Sequence, residues 1–264
     1  MVKLDDNVLK GTKMKHEKIN IRGILIDNVS LSEATETVKE FIDNAASPKA
    51  VFTPNAEIVQ ACIESEETAT VINSADLIIP DGAGVVLASK ILSRPLKGKV
   101  PGVDLGEEII KLAVEHGYSV YFLGAKSGVG ELAAKKLKEK YGDFKLAGSH
   151  DGYFDQQGEE NETLVEEINA LAPDVLYVCL GAPRQEKWIY KNKDKLRNVK
   201  VLIGLGGSLD VYAGTANRAP DICIKLGLEW FYRLIKEPYR LGRMMKLPKF
   251  VFGTIVYKFT PKGK

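Results

Sequence analysis

The sequence predicts an α/β protein with a mostly parallel sheet and helices on both faces. Five short apolar segments each run into a loop that bears Gly, Pro or Asn, and most continue into a stretch of helical periodicity. Short, continuously apolar strands that alternate with helices are typical of a parallel sheet covered on both faces. The composition agrees with a folded domain, because 45% of the 264 residues are hydrophobic and 27% are charged.

The first elements along the chain are expected to be a hairpin and a helix. Residues 1–18 are polar and rich in lysine, and we interpret them as a mobile N-terminal extension. The segment 19–30, INIRGILIDNVS, predicts two short strands around a turn. In 31–45 the apolar positions recur with a helical period, and either Ser30 or Ser32 can cap that helix.

Five strand–loop units follow in order. They read KAVFTPN, ADLIIPDGAG, YSVYFLGAKSG, PDVLYVCLGAPRQE and VKVLIGLGGSLD. Parallel α/β sheets bind ligands at the carboxyl ends of their strands, where such loops gather. The loops that we consider as a site are therefore 53–55, 80–84, 123–128, 180–186 and 204–210.

The C-terminal segment differs in charge from the body. Residues 225–264 contain 10 Lys/Arg and 2 Asp/Glu, a net charge of +8, whereas 1–224 contain 27 and 33, a net charge of −6. We therefore divide the chain into an α/β domain at 19–218 and a basic amphipathic appendage at 219–264. Apolar residues are dense in this appendage and alternate with basic residues at helical spacing. This pattern favours an appendage that binds a membrane surface over a solvated basic helix that packs on the body.

Several kinds of site and location are not indicated. The three cysteines lie far apart without CxxC or Cys/His spacing, which predicts free thiols in a reducing cytosol and no metal site. The N-terminus has no apolar signal segment, and no apolar run is long enough to span a bilayer. We therefore expect a cytoplasmic protein.

Asp81 stands in the loop IPDGAG, where a strand passes through glycines into a helix. A carboxylate is unfavourable in a phosphate-binding loop because it repels phosphate. Asp is a favoured N-cap residue, so capping alone can explain it. The alternative is that the carboxylate faces the crevice at the strand ends, where it can act as a general base.

The loops TPN and LGAPRQE also have both structural and functional interpretations. Asn55 is explained as the N-cap of the next helix, whereas the Thr53 hydroxyl has no evident role in the fold. Pro183 suits the first turn of a helix, and this puts Gln185 and Glu186 in that turn. Gln185 can donate to and accept from a base or sugar, but a capped surface helix, with Glu186 interacting with the helix dipole, explains the segment equally well.

Eight motifs occur in an order and spacing that resemble one known family. They are TPNAEIVQAC, ADLIIPDGAGVV, VPGVDL, YFLGAKSGV, HDGYF, LGAPRQEKW, GLGGSLDVYAGTANRAP and LEWFYRLIKEPYR. Over about residues 19–250 the chain resembles the TagA/WecG/CpsF glycosyltransferases. The resemblance implies a Rossmann-like domain with a small helical C-terminal appendage that docks on the membrane and on the active site.

The resemblance also implies the reaction and the place where it occurs. The reaction is an inverting transfer of N-acetylmannosamine from UDP-N-acetylmannosamine to the 4-hydroxyl of GlcNAc-diphospho-undecaprenol, in the synthesis of wall teichoic acid or a related polysaccharide. Another UDP-sugar, such as UDP-N-acetylmannosaminuronic acid, is the alternative donor. A lipid-linked acceptor implies a cytoplasmic enzyme held peripherally on the inner face of the cell membrane.

The family's functional residues carry over motif by motif. The aspartate of its PDGxG motif, the presumed base, is Asp81, and the tail arginines would close over the site and bind diphosphate. The predicted substrate-binding residues are Thr53, Asn55, Gly82, Gly181, Gln185, Glu186, Arg233, Arg240 and Arg243. The chain has no DxD triplet, so arginines and backbone N–H groups would stabilise the leaving diphosphate, with no cofactor and no essential divalent metal.

Other classes of function are weighed against this one. An NAD-type dehydrogenase would need a GxGxxG motif, which is missing. A nucleic-acid-binding protein would use the basic tail, but the chain has none of the common motifs, so we expect no nucleic-acid partner. A non-enzymatic membrane adaptor leaves the polar strand-end loops unexplained. The apolar tail residues also predict a homo-oligomer in solution.

Overall fold

The structure is a computed structural model that describes residues 16–220, 222–223, 229–236, 242 and 245–260. Its strands are β1 (Lys18–Ile21), β2 (Ile24–Asp27), β3 (Lys49–Phe52), β4 (Leu77–Ile78), β5 (Ser119–Gly124), β6 (Lys145–His150), β7 (Val175–Cys179) and β8 (Val201–Gly204). Its helices are α1 (Leu31–Asn44), α2 (Ala56–Glu64), α3 (Glu66–Asn73), α4 (Ala83–Ile91), α5 (Gly102–His116), α6 (Val129–Tyr141), α7 (Glu159–Leu171), α8 (Arg184–Asn192), α9 (Ser208–Tyr212), α10 (Glu229–Lys236) and α11 (Lys246–Lys258).

The central sheet has six strands in the order β4-β3-β8-β7-β5-β6. Every neighbouring pair is parallel, which confirms the predicted α/β class. Five of the strands are those predicted from the apolar segments. The sixth, β6, was not predicted because its sequence, KLAGSH, lies half-buried at the sheet edge and lacks a continuous apolar run.

Two apolar cores cover the two faces of the sheet. Alternate strand residues point to opposite faces: Val175 and Tyr177 of β7 belong to one core, and Leu176 and Val178 to the other. Helices α1, α5, α6 and α9 contribute to the first core, and α2, α3, α4, α7, α8 and α11 to the second. The sheet is therefore covered on both faces, as the sequence predicts.

The hairpin and first helix agree with the sequence. Arg22 and Gly23 have φ values of 54° and 98°, the left-handed pair that a two-residue hairpin turn requires. Ser30 caps α1 and forms a capping box with Glu33. The Glu17 carbonyl accepts from the Asn28 N–H, so the last residues of the predicted extension belong to this hairpin. Residues 1–15 lie outside the described part of the chain.

The C-terminal appendage is helical where the structure describes it. Helix α11 packs against α2 and α4, and Phe250 and Thr254 on its inner side are fully buried. Its outer side carries a stripe of exposed apolar side chains. This outer stripe is Met245, Phe252, Ile255, Val256 and Phe259. None of the described helices is long and apolar enough to cross a bilayer.

Candidate functional site

The loops that follow β3, β4, β7 and β8 meet at the carboxyl edge of the sheet. Thr53, directly after β3, is buried, and its Oγ1 donates a 2.9 Å hydrogen bond to the carbonyl oxygen of Gly204 at the end of β8. The hydroxyl therefore has a role in the fold that was not evident from the sequence. The bond fixes two neighbouring strand ends to each other and holds the TPN loop at the crevice.

Asn55 is the N-cap of α2, as predicted. Its Oδ1 accepts from the backbone N–H groups of Glu57 and Ile58 at 2.9 and 3.1 Å. Its Nδ2 group makes no hydrogen bond within the described chain. Asn55 is half-buried at this edge, and the capping bonds hold its side chain in place.

Asp81 lies after β4, beside the TPN loop. The N-cap of α4 is Gly82, not Asp81, so the interpretation of Asp81 as a helix cap is wrong. Gly82 has a φ of 85°, and a Cβ placed on it would lie 3.8 Å from the Asn55 Cβ. The carbonyl of Pro80 accepts from the Val100 N–H at 2.8 Å, which joins the loop to VPGVDL. Asp81 is half-buried, as a carboxylate at a substrate crevice would be.

The start of α8 is more buried than a surface helix would be. Pro183 is the N-cap residue and the helix begins at Arg184, so Pro183 precedes the first turn in which it was predicted. Gln185 and Glu186 are 2% and 0% exposed, which excludes the interpretation as a capped surface helix. The Gln185 Oε1 accepts from the Gly206 N–H, and its Nε2 donates to the Glu186 Oε1, both at 2.9 Å. Burial raises the pKa of Glu186.

A second concavity lies farther along the same edge, where β5 and β6 end. It has a volume of about 170 Å³ and is lined by Gly124, Lys126, Ser127, Gly128, Gly130, Glu131, Ser149, His150 and Asp151. Both motifs, LGAKSG and HDGYF, are recognisable in the sequence, but no side chain in them was predicted to be a site residue. The strand that brings them together is β6, whose weak apolar pattern hid it.

Most helices that follow these strand-end loops begin without a side-chain cap. The N-cap residues of α4, α6, α8 and α9 are Gly82, Gly128, Pro183 and Gly207, and none caps through a side chain. By contrast, Ser30 and Ser65 cap α1 and α3, which do not follow a strand of the central sheet. In the helices without a side-chain cap, some of the first N–H groups donate to preceding carbonyls, as those of Gln185 and Ser208 do to Gly181 and Leu205. Helix N-termini that lack a side-chain cap are nevertheless typical positions for a phosphate-bearing ligand.

Four predicted substrate-binding residues remain, namely Gly181 and the three arginines of the appendage. Gly181 has a φ of 79°, and a Cβ there would meet no neighbour within 4 Å. Arg233 lies in α10, but its side chain, like the whole of Arg240 and Arg243, falls outside the described residues. Lys97, which precedes the VPGVDL motif and was not predicted as a site residue, is paired with Glu33, and this hydrogen bond helps to lower the pKa of Glu33 to about 2. Lys97 therefore has a partner in the body of the protein.

No cluster of three or more potential metal ligands occurs among the residues that the structure describes. The three cysteines are free thiols, as predicted. Cys62 and Cys179 are buried free thiols, and Cys223 is a partly exposed one.

Comparison with known proteins adds the following findings. Residues 19–264 match the model of the glycosyl transferase WecG/TagA/CpsF family. A Staphylococcus aureus (strain MRSA252) protein named N-acetylglucosaminyldiphosphoundecaprenol N-acetyl-beta-D-mannosaminyltransferase is 37% identical over 236 residues, 89% of this chain and 91% of that protein. A protein of the same name from strain MW2 is 36% identical over the same shares.

Proposed function

The chain belongs to the WecG/TagA/CpsF family of glycosyl transferases, and from that premise we propose that it transfers N-acetylmannosamine from UDP-N-acetylmannosamine to GlcNAc-diphospho-undecaprenol. The name of the relatives, which are similar over nine-tenths of their length, supports this donor sugar and acceptor. The proposed product has a β-1,4 linkage, formed with inversion in the synthesis of wall teichoic acid or a related polysaccharide.

The position of Asp81 is the observation that carries the proposal. Its carboxylate follows a parallel strand at the carboxyl edge, is half-buried, and is not the cap of its helix. Carboxyl ends of parallel strands are where α/β proteins bind and transform ligands. A carboxylate there, next to amide donors such as those of Asn55, suits a reaction in which a hydroxyl group must lose a proton.

Asp81 acts as general base in the proposed mechanism. It accepts the proton of the acceptor 4-hydroxyl while that oxygen attacks the anomeric carbon of the donor sugar, and UDP leaves from the opposite face. Thr53, Asn55 and Gly82 would lie around the sugars, with Gly181 facing the donor. Gln185 and Glu186 belong to the same predicted substrate site.

The donor would lie along the edge of the sheet. From β4 to β5 there are four strand spacings of about 4.8 Å, so the Asp81 loop and the cavity at β5 and β6 lie roughly 19 Å apart. An elongated nucleotide sugar suits this arrangement, with the sugar near Asp81 and the nucleotide toward the LGAKSG and HDGYF loops. The diphosphate would lie between them, near the loop 204–207 that precedes α9.

The leaving UDP gains negative charge as its bond to the sugar breaks. Backbone N–H groups of the loop 204–207, together with Arg233, Arg240 and Arg243 of the appendage, would stabilise that charge. We therefore expect transfer without a cofactor and without an essential divalent metal.

The lipid-linked acceptor requires the enzyme to work at a membrane surface, which we propose to be the inner face of the cell membrane. Support comes from α11, because five large apolar side chains form its outer stripe. The same segment contains Lys246, Lys249 and Lys258. In the absence of lipid the same stripe would favour self-association, so we propose a homo-oligomer in solution.

The proposal is tested by measuring UDP release from a panel of UDP-sugars, with and without a GlcNAc-diphospholipid acceptor. We expect acceptor-dependent release with UDP-N-acetylmannosamine in the presence of EDTA. If UDP is released from UDP-N-acetylmannosaminuronic acid instead, the assigned donor is wrong but the proposed class of reaction is right. Acceptor-independent release, or none with any donor, would contradict the proposed transfer.

A further inference from the structure

Two adjacent polar side chains at the start of α8 are almost completely removed from solvent. Glu186 is 0% and Gln185 2% exposed. A buried carboxylate normally has a cationic partner, but no Lys, Arg or His lies in ion-pair range of Glu186 in the described chain. Burial raises the pKa of Glu186, because it disfavours the charged form. Burial, and to a lesser extent the nearby Glu186, raise the pKa of the Cys62 thiol to about 12.

Both polar atoms of the Gln185 amide form hydrogen bonds. Its Nε2 donates to the Glu186 Oε1, and its Oε1 accepts from the backbone N–H of Gly206. A rotation of the amide by 180° would turn its NH2 group toward the Gly206 N–H, so the hydrogen bond to Gly206 would be lost. Gly206 and Glu186 together therefore favour the observed orientation of the Gln185 amide.

The backbone at Gly204 is adapted to the same side chain. A Cβ placed on Gly204 would lie 2.9 Å from the Gln185 Nε2, so any larger residue would displace the amide. The carbonyl oxygen of Gly204 accepts the hydrogen bond of Thr53. The loop 204–207 is thus fixed to α8 through Gln185 and to β3 through Thr53.

The opposite side of this loop is open. A Cβ on Gly206 or Gly207 would meet no other atom of the described protein within 4 Å. Gly206 needs glycine because its φ is 57°, but Gly207 has a φ of −86°, which any residue adopts. Room for a ligand close to the backbone explains a glycine at 207.

We propose that Glu186 and Gln185 are positioning residues: as a hydrogen-bonded pair they hold the loop 204–207 in the shape that receives the diphosphate of the donor. This inference rests on the proposed function, since that function supplies the UDP-linked donor. Gln185 then acts on the substrate through Gly206, and Glu186 acts through Gln185. The role requires a hydrogen-bond acceptor oxygen at position 186.

Four variants test the pair, with UDP affinity measured by calorimetry and kcat and KM measured by UDP release. Glu186→Gln keeps an acceptor oxygen without charge, so UDP affinity should stay within about threefold of wild type. Glu186→Met removes the acceptor at similar volume and should weaken UDP binding and raise the donor KM by about tenfold. Gln185→Leu should have a similar effect, and the Glu186→Met/Gln185→Leu double variant should cost no more than the worse single variant, because the two residues act as one unit.

Each result bears on one of the two proposals. If wild type fails to bind UDP, the proposed function is wrong. If wild type binds UDP and Glu186→Met binds it equally well, the positioning role is wrong. Additive losses in the double variant, or a loss in Glu186→Gln as large as in Glu186→Met, would also overturn it. If Glu186→Met does not fold, Glu186→Gln and Gln185→Leu still test the positioning role, because only Gln185→Leu should lose UDP affinity.

Discussion

Gly84 of α4 lies directly beneath Leu247 of α11. A Cβ placed on Gly84 would be 2.8 Å from the Leu247 Cδ1 and 2.8 Å from the Cβ of Ala56 in α2. The helix that follows Asp81 therefore packs against two other helices at a position where only glycine fits. This contact links the proposed catalytic loop to the helix that carries the outer stripe.

The first prediction is that Gly84→Ala destabilises the protein. The Leu247 side chain can move, but the Ala56 Cβ is attached to the backbone of α2, so the helices must separate. Overpacking of this kind costs about 1–3 kcal/mol in the free energy of unfolding, which lowers Tm by roughly 2–4 °C per kcal/mol in a chain of this size. Differential scanning fluorimetry measures the change.

Gly98→Ala is the matched control for this prediction. Gly98 has no positive φ, and a Cβ there would meet nothing within 4 Å, so its Tm should stay close to that of wild type. Equal Tm values for Gly84→Ala and wild type would show that α4 does not pack on Ala56 of α2 as closely as described.

The contact also shows what sequence reasoning could and could not predict. The apolar strand segments and their glycine-bearing loops gave the sheet and its carboxyl edge, because burial on both faces requires such runs. Asp81 was found by its position after one of these strands. In α11, however, apolar residues occur on both sides of the helix, and only the structure distinguishes Phe250, which is buried, from Phe252, which is exposed.

Long-range polar contacts were the second kind of feature that the sequence could not reveal. Thr53 bonds to Gly204, 151 residues away in sequence. From the sequence, Gln185 and Glu186 could be interpreted as the first turn of a surface helix, because polar residues at the start of a helix are normally exposed. Their burial depends on how β7, β8 and α8 come together, and no local pattern encodes that arrangement.

The second prediction concerns the proposed base. Asp81→Asn keeps the size and position of the side chain but cannot accept the proton of the acceptor hydroxyl. Turnover with the lipid acceptor should fall by about 10²–10⁴-fold, while UDP affinity, measured by calorimetry, should change little. Asp143→Asn is the control, since Asp143 pairs with Lys138 on the surface and its side chain is 87% exposed. Near-normal turnover of Asp81→Asn would rule out the assigned role.

The third prediction is a pH dependence of stability that comes from Asp76. Its carboxylate accepts from the Ala50 N–H, from Lys193 and from Lys49 at 2.9, 2.6 and 3.1 Å. Burial alone would raise the pKa of Asp76, but these hydrogen bonds outweigh it and hold the pKa below 3.8. A lowered carboxyl pKa stabilises the fold above the unfolded-state value and ceases to do so as pH falls through the folded-state value.

Asp76→Asn should therefore destabilise the protein by about 1–3 kcal/mol at pH 7, because the amide cannot accept all three bonds. The difference from wild type should shrink below pH 3.8. Urea unfolding at a series of pH values measures it. A difference that stays constant from pH 7 to pH 3 would show that the lost stability does not come from the ionised carboxylate.

The last prediction concerns the outer stripe. Phe252 and Phe259 are 70% and 74% exposed, so replacing both with Gln removes almost no packing and should leave Tm unchanged. Full burial of such side chains in a bilayer interface contributes about 1.5–3 kcal/mol each. The Phe252→Gln/Phe259→Gln variant should therefore bind phosphatidylglycerol vesicles at least about tenfold more weakly, as measured by co-sedimentation. Its turnover should fall with a vesicle-embedded acceptor but not with a short-chain, water-soluble one.

Leu132→Gln is the matched control for the stripe. Leu132 is 38% exposed on α6, which covers the other face of the sheet, so its loss should not affect vesicle binding. Lys246 and Lys249 pair with Glu64 of α2, so the electrostatic contribution of α11 to binding should be small. Binding by wild type should therefore persist in high salt, because the apolar contribution is not screened. If the double variant bound vesicles as tightly as wild type, the membrane contact would have to lie elsewhere, and α11 would be only a packing helix.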